Sequence, residues 1–157
     1  MKISVGSDEN TVLTDFVVEE LKRRGHDVTL FGPLKGEPMG WPDVGEKVAL
    51  EVSRKRSDQA VLFCWTGTGV TIAANKVPEV RAALCCDAET AKGARMWDDA
   101  NVLAMSLRTT STAVAKEILD AWFSSDPIKT GVDAELIQRA KKLDSKYLIA
   151  QQARKTA

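Results

Sequence analysis

Ala60-Val-Leu-Phe-Cys-Trp-Thr-Gly-Thr-Gly-Val-Thr-Ile-Ala-Ala-Asn-Lys76 decides how this chain is read. Its opening residues are apolar without alternation, the pattern of a strand buried on both faces, as in a parallel sheet covered by helices on each side. The run ends at Cys64. Thr66-Gly67-Thr68-Gly69 then makes a turn, and Val70 to Lys76 carries a short helical pattern. A strand, a tight turn and a helix start aim backbone N–H groups at one point, a geometry that favours an anion. Cys64 stands at the carboxyl end of the strand, the edge where open α/β sheets bind their ligands. Amides and helix N-termini also make a neighbouring thiol easier to ionise.

Outward from this stretch the chain alternates strand and helix. Lys2 to Gly6 reads as a buried strand, Ser7-Asp8-Glu9-Asn10 as a turn with cap chemistry, and Thr11 to Arg24 as a helix. Leu13, Phe16, Val17 and Leu21 give that helix one apolar stripe, and Gly25 suits the position past its end. Asp27 to Phe31 is a second strand. Residues 32–42 are too rich in Gly and Pro for regular structure and read as a loop. Asp43 with Glu46 resembles a capping box opening the next helix, along which Val44, Val48 and Val52 lie. After the central strand, Val80 to Cys85 and Asn101 to Ser106 are strands, and Ala88 to Met96 and Thr110 to Phe123 are helices. A last helix runs from about Asp133 to Ala150, with Leu136, Ala140, Leu143 and Tyr147 as a narrow seam able to pack on its own domain as easily as on a partner chain, and Gln151–Ala157 as a frayed tail. The prediction is an α/β fold: one domain over residues 1–157, a doubly wound, five-stranded parallel sheet in a three-layer sandwich.

Composition narrows the partners. Acidic and basic residues number 22 each, so no global field points to nucleic acid or an anionic membrane. No apolar stretch of about 18 residues is present for a membrane span. Met1-Lys-Ile-Ser-Val5 enters a strand pattern at once, without a signal-peptide layout. The three cysteines, two of them adjacent, make neither a disulfide framework nor a metal site, and His26 is the one histidine. A cytoplasmic protein with reduced thiols, needing no metal or cofactor, is expected.

Several residues gather at the carboxyl edge. Cys64 reads either as buried filling or as a reactive thiol, and the adjoining turn favours the second. Cys85 and Cys86 lack such a turn and read as packing residues. Thr66-Gly67-Thr68-Gly69 lacks the Lys-Ser/Thr ending of a P-loop and the third glycine of a dinucleotide fingerprint, so it is not a phosphate motif by itself. Asp8 is a helix cap or a hydrogen-bond acceptor for a polyol. Arg108, which follows the fifth strand, binds a phosphate or is solvated. Trp41, Trp65 and Trp97-Asp98-Asp99 read as rim residues near the same edge, and His26 lies at the opposite one. Lys129 and Arg139 join a site only if the last helix reaches it.

The segment Cys64-x-Thr66-Gly67-x-Gly69, followed by Ile72-Ala-Ala-Asn-Lys76, Val80-Arg-Ala-Ala83, Asn101-Val-Leu-Ala104 and Arg108, resembles the ribose-5-phosphate isomerase B / galactose-6-phosphate isomerase family in order and spacing from Met1 to Phe123. The resemblance implies a metal-free aldose–ketose isomerase working through a cis-enediolate. It implies that Cys64 moves a proton between C1 and C2, that Thr66 assists, and that the amides of Trp65, Gly67, Thr68, Gly69 and Val70 hold the enediolate oxygen. Asp8 then contacts the sugar and Arg108 the phosphate, in a homodimer or a dimer of dimers. Departures fall around the substrate. Glu9 stands where the family has histidine after Asp8, Trp97 where it has a ring-opening histidine, Asp98 where asparagine is usual, and Trp41 where a tyrosine is usual. The carboxy-terminal basic clamp has only Lys129 and Arg139 as loose counterparts. The substrate expected is a pentose phosphate of the ribose 5-phosphate type. The alternatives are an open-chain tetrulose phosphate such as erythrulose 4-phosphate, or a binding module that has lost the chemistry.

Overall fold

The apolar runs become five strands: β1 (Lys2–Ser7), β2 (Asp27–Phe31), β3 (Gln59–Cys64), β4 (Ala82–Leu84) and β5 (Val102–Ser106). The computed structural model describes the backbone of residues 1–155 and the side-chain surroundings of residues 1–147. The strands form one sheet in the order β2-β1-β3-β5-β4, all neighbours parallel. Side chains of a strand alternate between faces, and β3 shows why its sequence does not. Val61 and Phe63 pack with Leu13, Val17, Ile118 and Trp122 on one face, while Ala60, Leu62 and Cys64 pack with Val44, Val48 and Val70 on the other. Both faces are core, so both sets are apolar.

The helices are α1 (Val12–Arg23), α2 (Trp41–Ser53), α3 (Thr68–Ala74), α4 (Ala88–Asp98), α5 (Thr112–Phe123) and α6 (Gly131–Lys155). Helices α1, α4 and α5 cover the first face, and α2 and α3 the second. The expected three-layer α/β/α architecture holds. From β1 the chain first winds outward to β2, then crosses back to β3 on the other side of β1. That reversal between β1 and β3 is the switch point where such sheets open a crevice at their carboxyl edge.

Local chemistry explains the starts and stops. Thr11 and Thr14 form a reciprocal capping box on α1, Asp87 caps α4 through the Thr90 amide, and Ser111 caps α5 through the Val114 amide. Gly25 takes φ +79° just past α1.

Three expectations need correction. The Gly/Pro stretch 32–42 is not wholly loop: Gly32–Lys35 is a turn of 3₁₀ helix, and α2 already begins at Trp41 with Gly40 as N-cap. Pro42 lies in the first turn, where its missing N–H has no helical partner to lose, so Asp43 sits inside the helix rather than capping it. β4 is only three residues long. In α6 the seam is not what packs within the chain: Leu136, Leu143 and Tyr147 are exposed, and Ile137 is the residue it buries among those described. The helical backbone continues through Lys155, so the first five residues of the expected tail extend α6, and the last two lie outside the described residues.

Candidate active site

Three strands end together at the switch point. Ser7 pairs with Phe63 and Cys64 with Ser106, so Asp8 leaves β1 beside the place where Cys64 closes β3. Beyond the sheet the two neighbouring chains stay tied. Leu107 donates its N–H to the Cys64 carbonyl at 3.1 Å, and Arg108 donates to the Trp65 carbonyl at 3.0 Å. Ser106 Oγ donates to the same Trp65 carbonyl at 3.0 Å and accepts from the Arg108 and Thr109 amides at 3.2 Å each. Sequence reasoning passed over Ser106 because nothing but its place at a strand end marks it.

The turn after Cys64 requires glycine. Gly67 has φ +76°, and a Cβ there would stand 2.5 Å from Leu84 Cδ1 and 3.1 Å from the backbone C and O of Met105. Its N–H is already spent on the Cys64 carbonyl at 3.1 Å. Gly67 is also the N-cap of α3 and has no side chain to cap it. The amides of the first helical turn, Thr68, Gly69 and Val70, therefore have no helical acceptor. At seven residues α3 supplies little macrodipole, so any anion here relies on these amides directly. Thr66 and Thr68 face the same opening, their hydroxyls 2.6 Å apart.

Aromatic rings flank the turn. The Trp41 ring lies on Gly69, where a Cβ would come within 2.9 Å of it. Trp65 is 53 % exposed, and the Arg108 guanidinium sits 6.0 Å from its ring centroid. Arg108 itself is exposed and has no carboxylate partner among the described residues. A free, aromatic-backed guanidinium, planar and with paired donors, is well suited to holding a phosphate bidentately.

Asp8 supplies the clearest unmet demand. Its Oδ1 is buried and has no hydrogen-bond partner. Lost hydration raises its pKa above the ordinary 3.8, against the pull of its own backbone amide, and Glu9 adds a smaller push the same way. Unpaired acceptors of this kind are costly unless something fills them. Because the folded state favours the protonated carboxyl, the penalty is full above the raised pKa, fades as pH falls through it, and is absent below the unfolded value of 3.8. Asp8→Asn is thus expected to raise Tm at pH 7 relative to the parent, with the gain shrinking in acid. Thermal unfolding at several pH values checks this, and a variant no more stable at pH 7 contradicts it.

A family model described as Ribose/Galactose Isomerase matches residues 3–142. This chain belongs to the ribose/galactose isomerase family. It is 37 % identical over 127 residues to the ribose-5-P isomerase B of Listeria innocua, covering 80 % of this chain and 86 % of that protein. It is 33 % identical over 129 residues to the D-erythrulose-4-phosphate isomerase of Pectobacterium atrosepticum, covering 80 % and 84 %. The ribose-5-phosphate isomerase B structure from Clostridium thermocellum superposes with a TM-score of 0.86 at 36 % identity, covering 94 % of this chain and 99 % of that one. The chemistry of this isomerase is aldose–ketose interconversion.

Within one chain of the isomerase, other expected rim residues are elsewhere. Trp97 and Asp98 end α4, which runs back along the sheet, so they precede β5 at its amino edge. Val102 pairs with Ala60 and Ser106 with Cys64, so the length of β3, roughly 13 Å at about 3.3 Å per residue, separates them from the thiol. Trp97 is exposed and folds back over Gly93. Asp98 is exposed too, yet partial loss of hydration raises its carboxyl above the ordinary range. Lys129 and Arg139 line one shallow depression of about 450 Å³ with Lys142 and Glu135 on α6. Ile128 anchors the start of that segment to the Met96 carbonyl at 2.9 Å, beside the end of α4. His26 is at the amino edge as expected, its ring 4.6 Å from that of Phe123, and burial lowers its pKa. The other thiols divide: burial drives Cys85 up to about 12, whereas Cys86, expected to pack, is exposed with Sγ 3.2 Å from Asp87 Oδ2.

Proposed function

We propose that this sugar-phosphate isomerase uses Cys64 as its base, with a phosphorylated aldose of the ribose 5-phosphate type as substrate. The supporting observation is the adjacency, at the switch point, of the Cys64 thiol, three unpaired turn amides and the unsatisfied Asp8 oxygen. The thiolate takes the proton on C2 of the open-chain aldose. The C2–H electron pair forms the C1=C2 bond and the C1 carbonyl electrons move onto O1. The amides of Thr68, Gly69 and Val70 meet that developing oxyanion, as donors fixed in advance do best. The thiol, whose proton exchanges with solvent at the enediolate stage, then protonates C1, while the O2 proton passes to O1, handled by the Thr66–Thr68 hydroxyl pair. Asp8 Oδ1 accepts from a substrate hydroxyl, the Trp41 and Trp65 rings border the sugar, and Arg108 takes the phosphate.

Trp97, Asp98 and the basic α6 depression reach such a site only from a second copy, with the exposed α6 seam helping to hold it. A homodimer follows, in a reducing compartment such as the cytoplasm that suits three free thiols.

One observation favours a shorter substrate. The single histidine is stacked on Phe123 at the wrong edge, so no imidazole of the same chain is at hand to open a furanose ring. A tetrulose phosphate cannot close such a ring through a phosphorylated terminal oxygen and needs no opening. A turnover panel of four-, five- and six-carbon aldose and ketose phosphates, with unphosphorylated sugars as controls, separates the readings. Turnover of pentose phosphates supports the first, and turnover confined to four-carbon esters supports the second. Saturable binding without turnover anywhere supports a binding module instead. In the same panel Arg108→Ala is expected to raise KM for phosphate esters roughly 10- to 100-fold, as losing a charge-assisted contact does. Equal losses for unphosphorylated sugars contradict that role.

A further inference from the structure

Asp99 ends α4 in the left-handed region, with φ +48°, and is one of three such non-glycine residues among those described. Glycine would take this conformation without strain, so the carboxylate invites an explanation. Its Oδ2 meets Lys141 Nζ of α6 at 2.5 Å and accepts from Arg81 Nη2 at 3.1 Å. Arg81 Nε also donates to the Asp99 carbonyl at 2.7 Å, and Arg95 Nη1 lies 3.9 Å from Oδ1. One carboxylate, 18 % exposed, thus joins the lead into β4, the end of α4 and the middle of α6. A second tie runs beside it: Asp144 of α6 accepts the Glu79 amide at 2.7 Å. Between the two ties lies a cavity of about 280 Å³ lined by Lys55, Glu79, Arg81, Lys141 and Asp144. Apart from these, α6 buries only Ile137 among its described residues.

We propose that Asp99 is a positioning residue that locks α6 to the Trp97–Asp98 end of α4, so that both enter a second copy's site as one rigid unit. This rests on the reading above that the second copy completes the site. Asp99 precedes neither the proton transfer nor the phosphate contact; it acts through Trp97, Asp98 and α6. Losing it loosens the unit and weakens capture of substrate more than the chemical step.

Asp99→Gly removes the carboxylate while leaving the left-handed backbone unstrained, and Asp99→Asn keeps one acceptor for Arg81 but loses the charge facing Lys141. Assayed with ribose 5-phosphate and erythrulose 4-phosphate in parallel, Asp99→Gly is expected to raise KM about tenfold with kcat within about twofold, and Asp99→Asn to fall between it and the parent. Co-expressed with Cys64→Ala chains, Asp99→Gly should regain a component with the parent KM and about a quarter of its kcat, the statistical share for two sites shared across a two-fold axis. A residue that merely supports its own chain gives no such recovery. Hydrogen exchange needs no turnover: Asp99→Gly and Lys141→Met should each speed amide exchange in residues 137–147 about tenfold, the double variant no more than either alone. A parent-like KM in Asp99→Gly, absent recovery, or unchanged α6 exchange overturns the proposal. Should Cys64→Ala keep its chemistry, the reading of the thiol fails, and the exchange result still decides the lock.

Discussion

Gly67→Ala is expected to lower kcat/KM by about 100-fold, because displacing a positioned turn by about an ångström has that effect, and to destabilise the fold by roughly 2 kcal/mol. Two causes act together. The backbone stands at φ +76°, where a Cβ is strained, and the added atom would come within 3.1 Å of the Met105 carbonyl group. Leu84 Cδ1, at 2.5 Å, is the end of a flexible side chain and can move. The Met105 carbonyl belongs to β5, which is held between β3 and β4, and cannot, so the turn itself shifts. That moves the amides of Thr68, Gly69 and Val70 away from the thiol. Gly36→Ala is the control. Its φ of +82° carries the same backbone strain, but nothing lies within 4 Å of the added Cβ. It is expected to lose about 1 kcal/mol and no activity. Urea unfolding and steady-state kinetics on the two variants distinguish the causes, and a Gly67→Ala enzyme with parent kcat/KM contradicts a role for the turn.

The parts of this fold set by local chemistry were legible in the sequence. Unbroken apolar runs such as Ala60–Phe63 mark strands with core on both faces, and the helices expected from Thr11, Ala88 and Thr110 begin within two residues of those positions, although the cap of α1 is Thr11 and not the Ser7–Asn10 turn. Cys64 and its turn could be placed together because both lie within one strand–turn–helix unit. What failed depends on direction and distance. Trp97 and Asp98 precede Arg108 closely in sequence, yet β5 separates them, carrying Arg108 to one edge and leaving the pair at the other. The α2 start was missed because Pro42 reads as a breaker, although the first turn of a helix accepts it. Two features had no sequence signal at all. The unpaired Asp8 oxygen arises from how β1 and its turn bury it, and the Asp99 lock needs Arg81, Arg95 and Lys141 brought together from three elements.

Cys64→Ala is the variant with the largest expected effect. The side chain is 4 % exposed and packs with Val44, Val48 and Val70 on the α2–α3 face. Removing one buried sulfur costs stability of about 1 kcal/mol, which a domain of this size tolerates. Activity should respond on another scale. A positioned base contributes up to about 10⁴-fold, and neither of the other two thiols stands at the switch point to replace it. Cys85 is buried with its pKa near 12, and Cys86 engages Asp87 beyond β4. Cys64→Ser separates chemistry from packing. It fills the same space with a hydroxyl that is a far weaker base, so it should fold as the parent does and remain as inactive as Cys64→Ala.

The most direct measurement follows the proton itself. Incubated in deuterium oxide with the sugar phosphate that the parent turns over, the parent enzyme is expected to place deuterium at C2 of the aldose and C1 of the ketose, read by proton NMR. Cys64→Ala, shown to be folded by circular dichroism, is expected to exchange neither position above background. Exchange retained in that variant would contradict the assignment of Cys64 as the base.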